Sequence, residues 1–251
     1  MLFSRKSDRP TAPALARPAP AEPLVGVPAG LVSLAKTAAV SLDKHGAAGR
    51  RAAVYLVVDR SGSMADYFRD GSVQHLADRV LGLCVNLDDD GAVPLVFFDS
   101  RPYPIVDICL DQYEGVVARQ HQSHGGEHTM GGTRYTLAMR AVIDHYLASE
   151  AGDPALVVFQ TDGAPQDEEA TRLELARASK LPLFWAFVGF GPHQVPFLRQ
   201  LDTLGGRAVD NASYFHAGAD PMSVPDADLY DGITAEYGAW LTAARREGLL
   251  A

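Results

Sequence analysis

The sequence predicts a doubly wound, Rossmann-like α/β fold, a mostly parallel sheet with helices on both faces. Short β-branched and aromatic runs alternate along the chain with amphipathic stretches at helical spacing, the order that successive βαβ units require. The strand candidates are also apolar nearly end to end, as in Val54-Tyr55-Leu56-Val57-Val58. Such a strand must be covered on both faces, which is the situation inside a parallel sheet. Length sets the scale: 251 residues, 47% of them hydrophobic and 21% charged, suffice for one substantial core.

Taken in order, residues 1–28 form the first segment, rich in Pro and Ala from Arg9 onward and almost without large apolar side chains. Such a stretch buries too little surface to offset its ordering entropy and reads as a flexible tail. Residues 29–251 are then one domain. It opens with a helix, because Leu31, Leu34, Ala38 and Leu42 recur at helical spacing and His45-Gly46 ends the pattern. Strands follow at Ala53 to Val58, Pro94 to Phe98, Ile105 to Ile108, Ala155 to Gln160 and Leu183 to Val188, with a weaker one near Tyr214 to His216. Ile105 to Ile108, short, is expected at an edge and antiparallel. Between the strands lie helices at Val73 to Leu87, Tyr113 to Gln120, Tyr135 to Ser149, Glu168 to Ser179 and Gln194 to Leu204, and a single last helix runs from about Asp228 to Arg246. Its stripe of Leu229, Ile233, Tyr237, Trp240 and Leu241 reads as a packed face.

Charge and cysteine use narrow the function. With 31 acidic against 22 basic residues and net charge -9, binding to a phosphate backbone or an anionic lipid surface is disfavoured. The positively charged start, Met1 to Arg9, is followed by Pro and Ala where a secretory signal needs an apolar run. The most apolar stretch, Leu181 to Phe190, contains Pro182 and Gly189 and is too short to span a bilayer. Cys84 and Cys109 show no metal or redox spacing and read as reduced core thiols. A cytoplasmic protein with no membrane insertion is expected.

The chemistry gathers where strands end. Val57-Val58 runs into Asp59-Arg60-Ser61-Gly62-Ser63, three oxygen-bearing side chains at every second position about a glycine that permits a tight turn. Gly131-Gly132-Thr133 opens a later helix, and Phe159-Gln160-Thr161-Asp162-Gly163 ends another apolar strand. In an open parallel sheet these loops share the rim at the carboxyl ends of the strands, where ligands bind. A plainer account makes Ser61 and Ser63 helix caps and Asp162 a turn residue.

The D-x-S-x-S run, Gly-Gly-Thr and Thr-Asp-Gly together resemble the metal-ion-dependent adhesion site of von Willebrand factor A domains, over roughly residues 50 to 247. Leu87-Asp88-Asp89-Asp90-Gly91, Phe97-Phe98 and Leu229-Tyr230-Asp231-Gly232 are similar to the branch at the C-terminus of TerF-type tellurium-resistance proteins. The resemblance implies a divalent cation, Mg²⁺ or else Mn²⁺ or Ca²⁺, held directly by Ser61, Ser63 and Thr133 and through water by Asp59 and Asp162. It implies recognition rather than catalysis: a protein partner presents a carboxylate to the ion, in a bacterial stress-response setting that includes other tellurium-resistance proteins.

The rival expectation is a metal-dependent hydrolase at the same rim, whose general base would come from His124 or His128. His124-Gly125-Gly126-Glu127-His128 has the spacing of an inverted zinc motif, but the glycine pair opposes the helix that motif needs. His121 to His128 therefore reads as a surface loop. Asn86-x-Asp88-x-Asp90-Gly91 begins like a calcium loop, yet its twelfth position is Phe97, so the bidentate carboxylate is missing. That acidic turn is expected on the opposite rim.

Overall fold

The computed structural model describes residues 26–250. The flexible tail expected over residues 1–28 falls almost wholly outside them. Within them, one six-stranded sheet has the order β3-β2-β1-β4-β5-β6, with β1 Ala53–Asp59, β2 Ala92–Phe98, β3 Val106–Cys109, β4 Ala155–Thr161, β5 Leu183–Phe190 and β6 Ala212–Gly218. All neighbours pair in parallel except β3, which runs antiparallel on the β2 edge. The sheet class, the edge strand and its direction are those the sequence predicts.

The alternation along β1 divides the core in two. Val54, Leu56 and Val58 face a cluster with α1 (Ala29–Lys44), α3 (Ser72–Leu87), α8 (Asp226–Thr234) and α9 (Tyr237–Arg246), whereas Tyr55 and Val57 face one with α5 (Tyr135–Ala148), α6 (Glu168–Ala178) and α7 (Pro196–Asp202). Both faces of each central strand are thus covered, as their unbroken apolar runs demand. Among the described residues two short α-helices, α2 (Ala65–Arg69) and α4 (Val116–Ser123), and two 3₁₀ turns, Gly62–Met64 and Gly126–Thr129, complete the set.

Three local readings change. The single last helix breaks at Ala235-Glu236 into α8 and α9; the predicted stripe is buried throughout, and the break lets its two halves seat on different parts of the layer. Leu229, Tyr230 and Ile233 lie in α8, whereas Tyr237 and Trp240 of α9 pack on Phe184. Cys84 is buried, and its thiol is pushed up by that burial, but Cys109 at the sheet edge is exposed. His121 lies inside α4, buried and stacked on Phe68 with ring centroids 4.2 Å apart, because that helix runs three residues beyond its expected end.

Asp231 clips α8 to α1. Its carboxylate accepts from Ser41 Oγ at 2.6 Å and lies 2.5 Å from Lys44 Nζ, and Lys44, then Ser41, pull its pKa down to about 2. A carboxyl whose pKa is lowered by folding stabilises the fold above its unfolded value and loses that contribution as pH falls through the folded one. Asp231→Asn should therefore lower the melting temperature at pH 7 by about 2–4 °C, the equivalent of roughly 1 kcal/mol for a partly exposed group. The gap between wild type and variant should close as the pH falls from 4 toward 2; an unchanged gap would remove the clip.

Candidate metal centre

The sheet order reverses direction of growth at β1, with β2 on one side and β4 on the other. Loops leaving these strands part from each other and open a crevice at their carboxyl ends. Asp59 is the last residue of β1, and Asp162 follows the last residue of β4.

Asp59 is fully buried. One carboxylate oxygen, Oδ1, accepts the Ser61 backbone N–H at 2.7 Å, and Oδ2 accepts from Thr161 Oγ1 at 2.6 Å. The second bond follows from pleat and register: Val58 pairs with Gln160, so the next residues, Asp59 and Thr161, project to the same face of adjacent strands. Behind them Tyr135 of α5 donates to Thr161 Oγ1 at 3.2 Å and to the Gly163 carbonyl. Burial pushes the Asp59 pKa from the ordinary carboxylate range up to about 7, against the lowering effect of its Thr161 and Ser61 hydrogen bonds. Burial likewise raises Asp162, less the effect of Ser63.

After Asp59 the chain makes a 3₁₀ turn, Gly62–Met64, with Ser61 at its N-cap. Ser61 makes no side-chain cap bond, so the plain capping account does not describe it. Its Oγ lies 3.1 Å from Ser63 Oγ, and Ser63 Oγ donates to Asp162 Oδ1 at 2.9 Å. Four of the five predicted residues thus form one contiguous cluster. Thr133 arrives on the neighbouring loop, held alongside by the bridge between Ser61 and Gly131 and by the Gly62 N–H donating to the Gly131 carbonyl at 3.0 Å. The Thr133 carbonyl accepts the Gln166 N–H at 2.8 Å. Gly131 must be glycine, since a Cβ there would stand 2.9 Å from Cγ of Asp99.

This donor set fits a hard divalent cation. Thr161 and Ser63 direct hydroxyl protons onto Asp59 and Asp162, which orients the carboxylates; Ser61 then donates to Ser63, so that both Ser61 lone pairs and one of Ser63 stay available to an ion. Neither carboxylate has an ion-pair partner among the described residues, and two clustered acids with raised pKa values call for positive charge. Among the described residues no group of three or more His, Cys, Asp or Glu side chains could hold a metal; the cluster here is instead two carboxylates among hydroxyls, suited to Mg²⁺ and its retained waters.

Sequence reasoning missed Thr161 and Tyr135. The two-residue period of β4 placed Thr161 on the face of Asp59, but only the register of the β1–β4 pair put the two side by side. The histidines fall elsewhere: α4 ends at Ser123, Gly125 and Gly126 take the left-handed region at φ 93° and 58°, and His128 is exposed. They present no common helical face. The Asp88–Asp90 turn sits at the start of β2 on the opposite rim, its carboxylates accepting the backbone N–H groups of Asp89 and Ala92, both at 2.9 Å.

A family model described as "vWA found in TerF C terminus" matches residues 51–250. Protein YcbR of Bacillus subtilis (strain 168) is 30% identical over 216 residues, which is 86% of this chain and 88% of that protein. Of solved structures, proximal thread matrix protein 1 from the mussel byssus superposes with TM-score 0.50 at 14% identity, over 73% of this chain and 47% of its own. The pilus adhesin SpaC from Lactobacillus rhamnosus GG gives TM-score 0.43 at 16% identity, over 78% of this chain and 31% of its own. The chain thus spans less than half the length of either solved protein, and the first likeness bears on fold alone. Among the described residues no helix is long and apolar enough to cross a membrane. With the family match running through the whole sheet and all three site loops, the chain belongs to the von Willebrand factor A domains of the TerF C-terminal type.

Proposed function

We propose that this domain is a divalent-cation-dependent protein-recognition module and not an enzyme. Ser61, Ser63 and Thr133 bind the ion directly, while Asp59 and Asp162 hold it through water. The observation that supports this reading most is the pair of carboxylates at the topological switch point, Asp59 buried and Asp162 half-buried, both raised in pKa by desolvation and neither paired with a basic side chain among the described residues. Neutral hydroxyls nearest the ion leave much of its charge uncompensated, so a partner's carboxylate displaces a water and completes the octahedron. Mg²⁺ is the first candidate, with Mn²⁺ and Ca²⁺ as alternatives.

Family membership supports a cytoplasmic role beside other proteins of a tellurium-resistance or stress-response system. Affinity capture from a lysate tests the reading directly. A partner retained in Mg²⁺ should be released by chelator and should fail to bind Thr133→Ala, which removes one donor and leaves the sheet intact. Retention that ignores both treatments sinks the proposal.

A further inference from the structure

Arg60, between Asp59 and Ser61, is the one charged side chain in the turn that the ion-binding reading leaves without a role. It is wholly buried, and its guanidinium is engaged entirely by the protein's own loops. Nη1 donates to the Tyr103 hydroxyl at 2.7 Å and lies 3.4 Å from Oδ2 of Asp99. Nη2 donates to the Gly126 carbonyl at 2.7 Å, to Thr129 Oγ1 at 2.7 Å and to the His124 carbonyl at 3.1 Å. Nε donates to His121 Nδ1 at 3.3 Å. Thr129 Oγ1 in turn donates to the His124 carbonyl at 2.6 Å, which closes the loop on itself.

The segment so gripped, residues 124–129, leads directly into Gly131-Gly132-Thr133. The other partner, Asp99, is the side chain against which Gly131 packs, and its backbone carbonyl accepts the Arg134 N–H at 3.2 Å. Arg60 therefore holds the Thr133 loop from both sides, while its own backbone continues into Ser61. A planar fork with five donors in fixed directions can do this; a lysine ammonium carries the charge opposite Asp99 but cannot reach three loops at once.

We propose that Arg60 is the positioning residue that sets the Thr133 loop against the Ser61–Ser63 turn, so that a buried guanidinium which touches no ion governs the cation affinity of the rim. This rests on the cation reading given above. Mg²⁺ demands near-ideal octahedral placement of its oxygens, and partners behind the ligands commonly change metal affinity by about 10–100-fold.

The test is Mn²⁺ binding to the full chain, with free ion followed by electron paramagnetic resonance, for wild type, Arg60→Lys, Thr133→Ala and the double variant. Arg60→Lys should weaken Mn²⁺ about 10-fold or more, the usual cost of losing such a partner. The Thr133→Ala penalty should largely vanish in the Arg60→Lys background, because the hydroxyl is no longer held in place. A purely structural arginine would lower the melting temperature and leave both quantities unchanged. Thr129→Val removes one acceptor of the fork without touching Arg60; it should weaken Mn²⁺ several-fold and serves in place of Arg60→Lys if that variant does not fold. Arg69→Ala cuts the exposed Arg69–Glu127 pair on the same loop and should bind as wild type does. Wild-type affinity in the fork variants, or additive penalties in the cycle, overturns the proposal. A wild type that does not bind Mn²⁺ overturns the cation reading itself.

Discussion

In chelator Asp59→Asn should melt higher than wild type at pH 8, and millimolar Mg²⁺ or Mn²⁺ should reverse that order by raising wild type alone. The size of the gain follows from mass action. An ion at about 100 times its dissociation constant stabilises the folded state by roughly 2.7 kcal/mol, or about 5–10 °C for a domain of this size. Asn keeps the shape, and its oxygen can still accept the Ser61 N–H; Thr161 Oγ1 already has the Gly163 carbonyl within 3.1 Å to take its proton instead. What is lost is the charge that draws the ion.

The pH dependence has a definite sign. Asp59 titrates at about 7 in the fold because it is buried, above its unfolded value, so between those pH values the folded state holds the extra proton. Stability in chelator should then fall as pH rises from 4 through 7, and the ion's gain should be larger at pH 8 than at pH 5.5, where a proton competes for Asp59. Ionising that buried carboxylate costs on the order of a few kcal/mol, which is the amount Asp59→Asn removes in chelator at pH 8. Asp88→Ala on the opposite rim should leave the ion response unchanged. Calorimetric scans in the two buffers decide the matter, and an equal cation response in wild type and Asp59→Asn would show that these residues are not a metal site.

Gly238→Ala should lower the melting temperature by about 5–10 °C, the equivalent of roughly 3 kcal/mol at the upper end of overpacking costs. Gly238 lies in α9, buried where that helix crosses the turn after α1. A Cβ there would collide with the His45 carbonyl oxygen and stand 3.2 Å from the Gly46 carbonyl carbon. Both obstacles are backbone, so no side chain can swing aside. Either α9 lifts and uncovers Trp240 and Tyr237, or the turn leading to β1 moves. Alanine is intrinsically the better helix former by about 1 kcal/mol, so a measured loss understates the clash. The turn precedes the amino end of β1, and the cation's gain in melting temperature should survive intact. A neutral or stabilising substitution would mean that α9 does not sit against the His45-Gly46 turn.

Features that depend on residues near in sequence were legible without the structure. Apolar runs marked the four inner strands, because a strand covered on both faces carries almost no charge. The Val106–Cys109 edge, which runs antiparallel to β2, was legible as a short strand. The spacing of Asp59, Ser61 and Ser63 about Gly62, and their shared rim with Thr133 and Asp162, also followed from local pattern, since loops at the carboxyl ends of parallel strands must meet. Three-dimensional placement decided the rest. Thr161 reaches Asp59 only through the register of β1 and β4. The last helix divides at Ala235-Glu236 because its two apolar halves meet different neighbours, and His121 is buried because Phe68 and Arg60 close over it. Arg60 reads in sequence as an ordinary charged residue in a polar turn. Its burial against Asp99, Tyr103 and the 124–129 loop is a meeting of segments up to 69 residues apart, and a periodicity of two or 3.6 residues carries no information about such partners.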